Sequence, residues 1–308
     1  MGGAAGAVGL RRSAVGHGGR IGRVPIAPAI TLLAEAEAGG YAVGAFNAIG
    51  LESAQAIVGG AEDAGAPVFV QISENAGRYA SLAGLAAAAL AVAAEAAVPV
   101  AVHFDHGTTV ESCAGAVRLG FGSVMLDGSA RPLSENVAET AEAAGVAHAA
   151  GAACEGELGV VGGKPGQAED GRLTDPDEAR RFVRATGVDS LACALGTRHG
   201  MVRKEGRVDL DHARRVRDAA GVPLVLHGSS GVPEATLGQL AATGVVKVNV
   251  ATDLNGAFTA ALRAQLAVDP DVVDPRRYLA PARAAMRARV AELCRLLGAA
   301  GRAAPTGG

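Results

Sequence analysis

The sequence contains no Cys-x-x-C pair, and its four cysteines, Cys113, Cys154, Cys193 and Cys294, are widely scattered. That spacing argues against a disulfide framework or a zinc knuckle, so buried free thiols are expected. A strong charge of either sign is also missing. The formal net charge of −3 offers no electrostatic basis for binding nucleic acid or an anionic membrane. No apolar run is long and unbroken. The longest, Leu82 to Val102, is interrupted by Glu95 and Pro99, and reads as a helix followed by a strand rather than a membrane span. Only three of the 28 basic residues are lysine, a skew attributed to codon bias. No acidic residue precedes Glu35, and residues 1–24, with Arg11, Arg12, Arg20 and Arg23, are rich in Gly and Ala. They lack the serine content and amphipathic period of a transit peptide, so a flexible extension is expected there. Residues 25–308 are expected to form one domain, in a cytoplasmic protein.

What the sequence does have is 49% hydrophobic residues and a regular alternation of elements. Short β-rich runs occur at Ala42–Phe46, Val68–Ile72, Val98–His103, Ser123–Leu126, Ala152–Glu157, Ser190–Ala194, Leu224–Leu226 and Val245–Asn249. Their start-to-start steps of 21 to 38 residues match one strand plus one helix. Eight such units predict a (β/α)8 TIM barrel, whereas an open doubly wound sheet usually has five or six. Helix signals fall between the runs. Asp177 opens one helix after Thr174-Asp175-Pro176, Ser134 precedes another that stops at Gly145, and Pro233 can start a third. Asn255–Ala267 and Pro281–Leu297 are expected as extra C-terminal helices.

In a barrel, the loops at the C-terminal strand ends converge on one mouth. Polar residues fall at each of those ends: Asn47, Ser73, Asp105 with His106, Asp127, Glu155 with Glu157, His199, His227, and Asn249 with Thr252. Three histidines on three strand ends can converge on a metal. Neutral imidazoles suit zinc, and three protein ligands leave a coordination position open. Asp105, beside His106, can move a proton at a substrate oxygen. Asp127 and Glu157 can hold a second cation, cap helices or orient ligands. His17, His148 and His212 are read as ordinary tail or helix residues, and His103 as a neighbour of the site. The small-residue loop Gly228-Ser229-Ser230 and the Asn249-Val250-Ala251-Thr252 strand end offer backbone N–H groups to a phosphate.

These segments carry a family pattern from about Thr31 to Leu297. It comprises Tyr41–Asn47, Pro99–Gly107, Ser123–Ser129, Glu155–Gly159, Thr186–Leu191, Leu195–Gly200, Pro223–Gly228 and Lys247–Thr252. In residues, order and separation they resemble the class II, metal-dependent fructose- and tagatose-bisphosphate aldolases. The resemblance implies a lyase that cleaves a ketose bisphosphate reversibly to dihydroxyacetone phosphate and glyceraldehyde 3-phosphate. It implies His106, His199 and His227 as ligands of one catalytic Zn2+, and Asp105 as proton donor and acceptor. Gly200, Gly228, Ser229, Ser230, Asn249, Val250, Ala251 and Thr252 are implied for dihydroxyacetone phosphate, and Asn47 stands at the same mouth. Ser73 is implied for the other substrate half, and Asp127 with Glu157 for a second divalent or monovalent cation. A homodimer or homotetramer is implied as well.

Two departures from the pattern stand out. The family usually carries a Glu-Asp pair close behind the Gly-Gly after strand five. Here Gly162-Gly163 leads into Lys164-Pro165-Gly166, and Glu169-Asp170 comes later. Glu169 is the candidate for the second acid that reprotonates C3. Ala130-Arg131 stands where a histidine is common, a change that bears on aldehyde preference. Four rivals follow: a paralogue acting on another, inositol-pathway ketose phosphate, an imine-forming aldolase using Lys247, a zinc hydrolase, and a non-catalytic barrel.

Overall fold

Eight short parallel strands close on themselves: β1 (Val43–Asn47), β2 (Val68–Ser73), β3 (Val100–Gly107), β4 (Ser123–Leu126), β5 (Ala153–Leu158), β6 (Ser190–Cys193), β7 (Leu224–Leu226) and β8 (Val245–Val250). Each pairs with its sequence neighbour, and β8 pairs back onto β1, which excludes an open sheet. The architecture is a TIM barrel, and the computed structural model describes residues 26–163 and 172–303. The expected tail at 1–24 and the candidate acid Glu169 both lie outside the described residues.

Successive strand residues face opposite sides, so register sorts the side chains into two layers. Gln71 pairs with His103, Ser73 with Asp105, Met125 with Glu155, Val225 with Lys247, and Asn249 with Ala45. This row turns into the barrel. A small apolar cluster of Met125, Ala192 and Val225 forms there, and Phe69 meets the His103 ring edge to face in the same layer; most of the inner row is polar and nonetheless buried. The alternate row, including Phe46, Val70, Phe104, Leu191 and Val248, joins the large apolar core shared with the helices. Phe104 meets Phe121 edge to face at 5.8 Å. Burying each such side chain contributes about 1.5–3 kcal/mol, so stability resides chiefly in the outer layer.

β3 breaks the alternation. Its register with β4 shifts between Phe104 and Gly107, and His106 has φ of +54°. A regular strand would turn Asp105 and His106 to opposite faces. The left-handed kink brings the His106 ring to the mouth alongside Asp105, and their polar atoms lie 3.9 Å apart.

The helices depart from expectation in three places. The Leu133–Ala149 helix runs through Gly145, where a side chain would meet open space, so this glycine is an exposed helical residue and not a stop. It weakens the helix by about 1 kcal/mol relative to alanine without ending it. The C-terminal helices start early, at Thr252 and Pro275, and end at Val268 and Leu296. Asp274 caps the second by accepting the Arg276 N–H, and Pro275 suits the first turn, where no N–H is needed. Pro281 therefore lies inside the helix. Asp175-Pro176 works in the same way at the Pro176–Thr186 helix, which starts one residue before the expected Asp177.

The last helix packs closely on Leu51–Ala64 beside the β8–β1 seam. A Cβ on Gly60 would lie 2.4 Å from the Arg287 carbonyl oxygen. All four cysteines are buried and free. Among the described residues, no single helix is long and apolar enough to cross a membrane. Only the pair Glu74–Ala80 and Leu82–Ala94, bent by 106°, passes that test jointly, and the second helix packs Leu85, Ala86, Ala89 and Ala93 inward.

Candidate active site

The C-terminal strand ends enclose a cavity of about 590 Å3. Asn47, Ser73, Asp105, His106, Asp127, His199, Gly200, His227, Gly228, Ser230, Asn249, Ala251 and Thr252 all line it. Glu157 is buried behind His106, with its carboxylate 3.6 Å from His106 Nδ1. Ser229 and Val250 are buried away from the cavity; Ser229 Oγ donates to the Asn249 carbonyl and so ties the two loops together. Sequence reasoning missed Gln71, Glu74, Asn75, Arg78 and Thr108, which also line the cavity. The polar run Ser73-Glu74-Asn75 directly after β2 was the available signal.

His106, His199 and His227 stand with ring centroids 4.7 to 5.9 Å apart, and their nearest ring nitrogens fall within 4.8 Å of one another. Carboxylates fix two of the tautomers. His106 Nδ1 donates to Asp127 Oδ2 at 2.9 Å, and His227 Nε2 donates to Glu155 Oε1 at 2.8 Å. Glu155 in turn accepts from Lys247 Nζ at 2.8 Å. Burial and the neighbouring His106 hold the His227 pKa below its ordinary value, despite the opposing bond to Glu155, so the ring is neutral. The remaining nitrogens, His106 Nε2 and His227 Nδ1, lie 3.0 Å apart, with Asn249 Nδ2 3.4 Å from the second of them. Two ring nitrogens at that distance can share one proton or serve one metal cation. With His199 as a third imidazole, the donor set fits a metal ion of the zinc type.

Asp105 is 3% exposed. Burial opposes its ionisation, but His106, His227, His103 and Lys247 outweigh burial and keep the carboxyl well below the usual carboxylate range. Asn47 Nδ2 donates to it at 2.9 Å, and Asn249 Nδ2 at 3.3 Å. Gln71 Nε2 holds Asn47 from behind at 2.8 Å. The carboxylate is thus ionised and oriented beside the imidazoles.

Deeper in the barrel, His103 Nδ1 lies 2.8 Å from Ser123 Oγ, while burial and then Lys247 push its pKa down to about 3. Lys247 is 1% exposed, held by Glu155, and absent from the cavity lining. An ammonium locked in that way is badly placed to form an imine. His148 bonds Asp189 and His212 bonds the Thr174 carbonyl, both remote from the mouth.

The loop after β7 is a single 3-10 turn, Ser229–Gly231, entered through Gly228 at φ +64°. A side chain on Gly228 would lie 2.6 Å from the Arg198 backbone, so glycine is required there. Lys204 Nζ donates to the Ser230 carbonyl at 2.8 Å and pairs with Asp253. The adjoining Thr252–Val268 helix starts at the cavity, and its N-terminal partial charge favours an anion. The loop after β5 docks on His199: His199 N donates to the Gly162 carbonyl at 2.8 Å, and a side chain on Gly163 would collide with His199 backbone. Ala130 lines the cavity, while Arg131 turns to Glu139 and the Thr108 carbonyl.

A family model described as fructose-bisphosphate aldolase class-II matches residues 28–302. The fructose-bisphosphate aldolase of Geobacillus stearothermophilus is 41% identical over 280 residues, covering 89% of this chain and 97% of that protein. The Thermus caldophilus fructose-bisphosphate aldolase is 42% identical over 301 residues, covering 89% and 98%. The crystal structure of the YdjI aldolase from Escherichia coli K12 superposes with a TM-score of 0.81 at 32% identity, covering 91% of this chain and all of that one.

Proposed function

The chain belongs to the class II fructose-bisphosphate aldolase family, and from that membership we propose that it cleaves fructose 1,6-bisphosphate, or its tagatose epimer, in a reversible zinc-dependent reaction. It is a carbon–carbon lyase. The observation that carries the finer reading is the cluster of three imidazoles with ring nitrogens within 4.8 Å of one another, in a cavity shared with Asp105 and two loops suited to an anion.

Three neutral imidazoles would hold Zn2+, which supplies Lewis-acid polarisation of the ketose C2 carbonyl. The Gly228–Ser230 turn and the Ala251–Thr252 helix start bind the phosphate of the dihydroxyacetone half and so fix the reacting carbons over the strand ends. Asp105, held by Asn47 and Asn249, takes the C4 hydroxyl proton as the C3–C4 bond breaks. In the reverse direction it returns that proton to the new alkoxide. Asp127 and Glu155 keep the two histidine tautomers correct, and Asp127 with Glu157 is the proposed position of a second cation. Glu169 is the proposed acid that reprotonates C3.

A shifted substrate has one observation in its favour: Ala130, where a histidine is common in the family, lines the cavity. Turnover of the two epimeric bisphosphates, followed by a coupled triose-phosphate assay with and without added zinc, tests the reading. Zinc-dependent triose phosphate from one epimer is expected. Phosphate release without triose phosphate, or turnover indifferent to a chelator, would overturn it.

A further inference from the structure

We propose that Arg289, on the last helix, is a positioning residue for substrate binding: it cancels a carboxylate that the fold places beside the anion-binding loops after β7 and β8. The inference rests on the aldolase reading of this cavity. The carboxylate is that of Asp253, which follows Thr252 at the start of the Thr252–Val268 helix. Asp253 N donates to Ser230 Oγ at 3.2 Å, and Ser230 and Thr252 both line the cavity. Lys204 Nζ lies between the two loops, 2.8 Å from the Ser230 carbonyl oxygen and 2.6 Å from Asp253 Oδ2. The Asp253 charge is thus one ammonium group away from the turn proposed to receive a phosphate. At that range a partly buried carboxylate left unanswered would repel the dianion with little screening.

Two cations answer it. Arg289, from the Pro275–Leu296 helix, meets Asp253 with its planar fork, Nε at 3.1 Å from Oδ1 and Nη2 at 3.0 Å from Oδ2. A bidentate match of this kind suits a guanidinium and not an ammonium. The two side chains are only 17% and 15% exposed. Burial opposes the ionisation of Asp253, but the bonds from Arg289 and Lys204 outweigh it and hold its pKa below the ordinary value. Lys204 is the weaker of the two cations here, since its side chain is 37% exposed and also serves the Ser230 carbonyl. Arg289 further binds Glu234 Oε1 at 2.8 Å and Glu292 Oε2 at 2.9 Å, both on carboxylates that are about half exposed. Without Arg289, three carboxylates would stand around one ammonium, and the buried one adjoins Ser230.

The test measures kcat and KM, with the epimeric bisphosphate that the zinc-loaded wild type cleaves, in Arg289→Met, Asp253→Asn and the double variant. A phosphate contact kept throughout the reaction is read in KM and not in kcat. Arg289→Met should raise KM by about 10- to 30-fold and keep kcat within about threefold of wild type. Asp253→Asn removes the charge that needs cancelling, so its KM should stay within about threefold of wild type, and the double variant should recover most of the loss. A merely structural clamp predicts otherwise, because each variant breaks the same bonds and the double variant is no better than either. Equal rises in KM in all three, a KM unmoved in Arg289→Met, or a loss confined to kcat would overturn the assignment and leave the aldolase reading intact. Should Arg289→Met fail to fold, Asp253→Asn decides by itself, and a tenfold rise in its KM would overturn the assignment. A wild type that forms no triose phosphate from either epimer would overturn the aldolase reading, and this inference with it.

Discussion

Phe104 and Asp105 are consecutive residues of β3, both fully or nearly fully buried, and they belong to different worlds. Phe104 turns outward into the apolar layer between strands and helices, beside Phe121. Asp105 turns inward among histidines, asparagines and Lys247. Each outer side chain gains from leaving water. Each inner one loses hydration and recovers it only through a specific partner. The barrel therefore separates what holds it together from what it does by a single step along the chain.

Substitutions should respect that separation. Asp105→Asn removes the proposed proton acceptor while keeping its volume, and turnover should fall by about 10^2- to 10^4-fold with little change in the urea midpoint. Phe104→Ala should do the reverse, costing about 3–5 kcal/mol of unfolding free energy while the folded fraction keeps its kcat. If both variants lost stability and activity together, the two layers would not be separable. Glu155→Gln acts between the extremes. It breaks the carboxylate that orients His227 and pairs with Lys247, and zinc affinity measured by chelator competition should weaken by about 10- to 100-fold. An unchanged affinity would remove the argument from tautomers.

The smallest effect belongs to His103. Its pKa is lowered from 6.5 to about 3, so below pH 6.5 the unfolded chain takes up a proton that the native state refuses. The unfolded state binds more protons across that window, and stability falls as pH falls, by up to about 1.4 kcal/mol per pH unit from this residue. Against wild type, His103→Gln should lose about 1 kcal/mol less between pH 6 and pH 5 in urea unfolding. Parallel curves would show that the ring is not held neutral.

The eight strands were legible in the sequence because β-rich runs and their spacing depend only on local composition and covalent reach. Their observed ends differ by a few residues, most at β3, which was expected to stop at His103 and continues to Gly107. The strand-end histidines and Asp105 were legible for the same reason. What was hidden depends on register. Glu155 was visible as an acidic strand end, but nothing local shows that it faces inward, holds His227 and neutralises Lys247. Lys247 itself looked like a candidate nucleophile until its ion pair and burial were seen. Gly145 carried a stop signal that exposure on a continuous helix overrode. Arg78 sits one turn into a short helix, and only the closure of the barrel brings it to the mouth.

The kink at His106 has a consequence for tolerance to motion. Most distances in a site assembled from separate strands are set by packing, and they vary as the strands breathe. Asp105 and His106 are joined by one peptide bond, across which consecutive Cα atoms are held about 3.8 Å apart. The left-handed residue lets both side chains share a face, so the spacing between the proposed proton acceptor and the proposed metal ligand is limited by covalent geometry. Loosening the barrel would shift the sugar and the phosphate loops relative to this pair. It would shift the pair's own two members relative to each other far less.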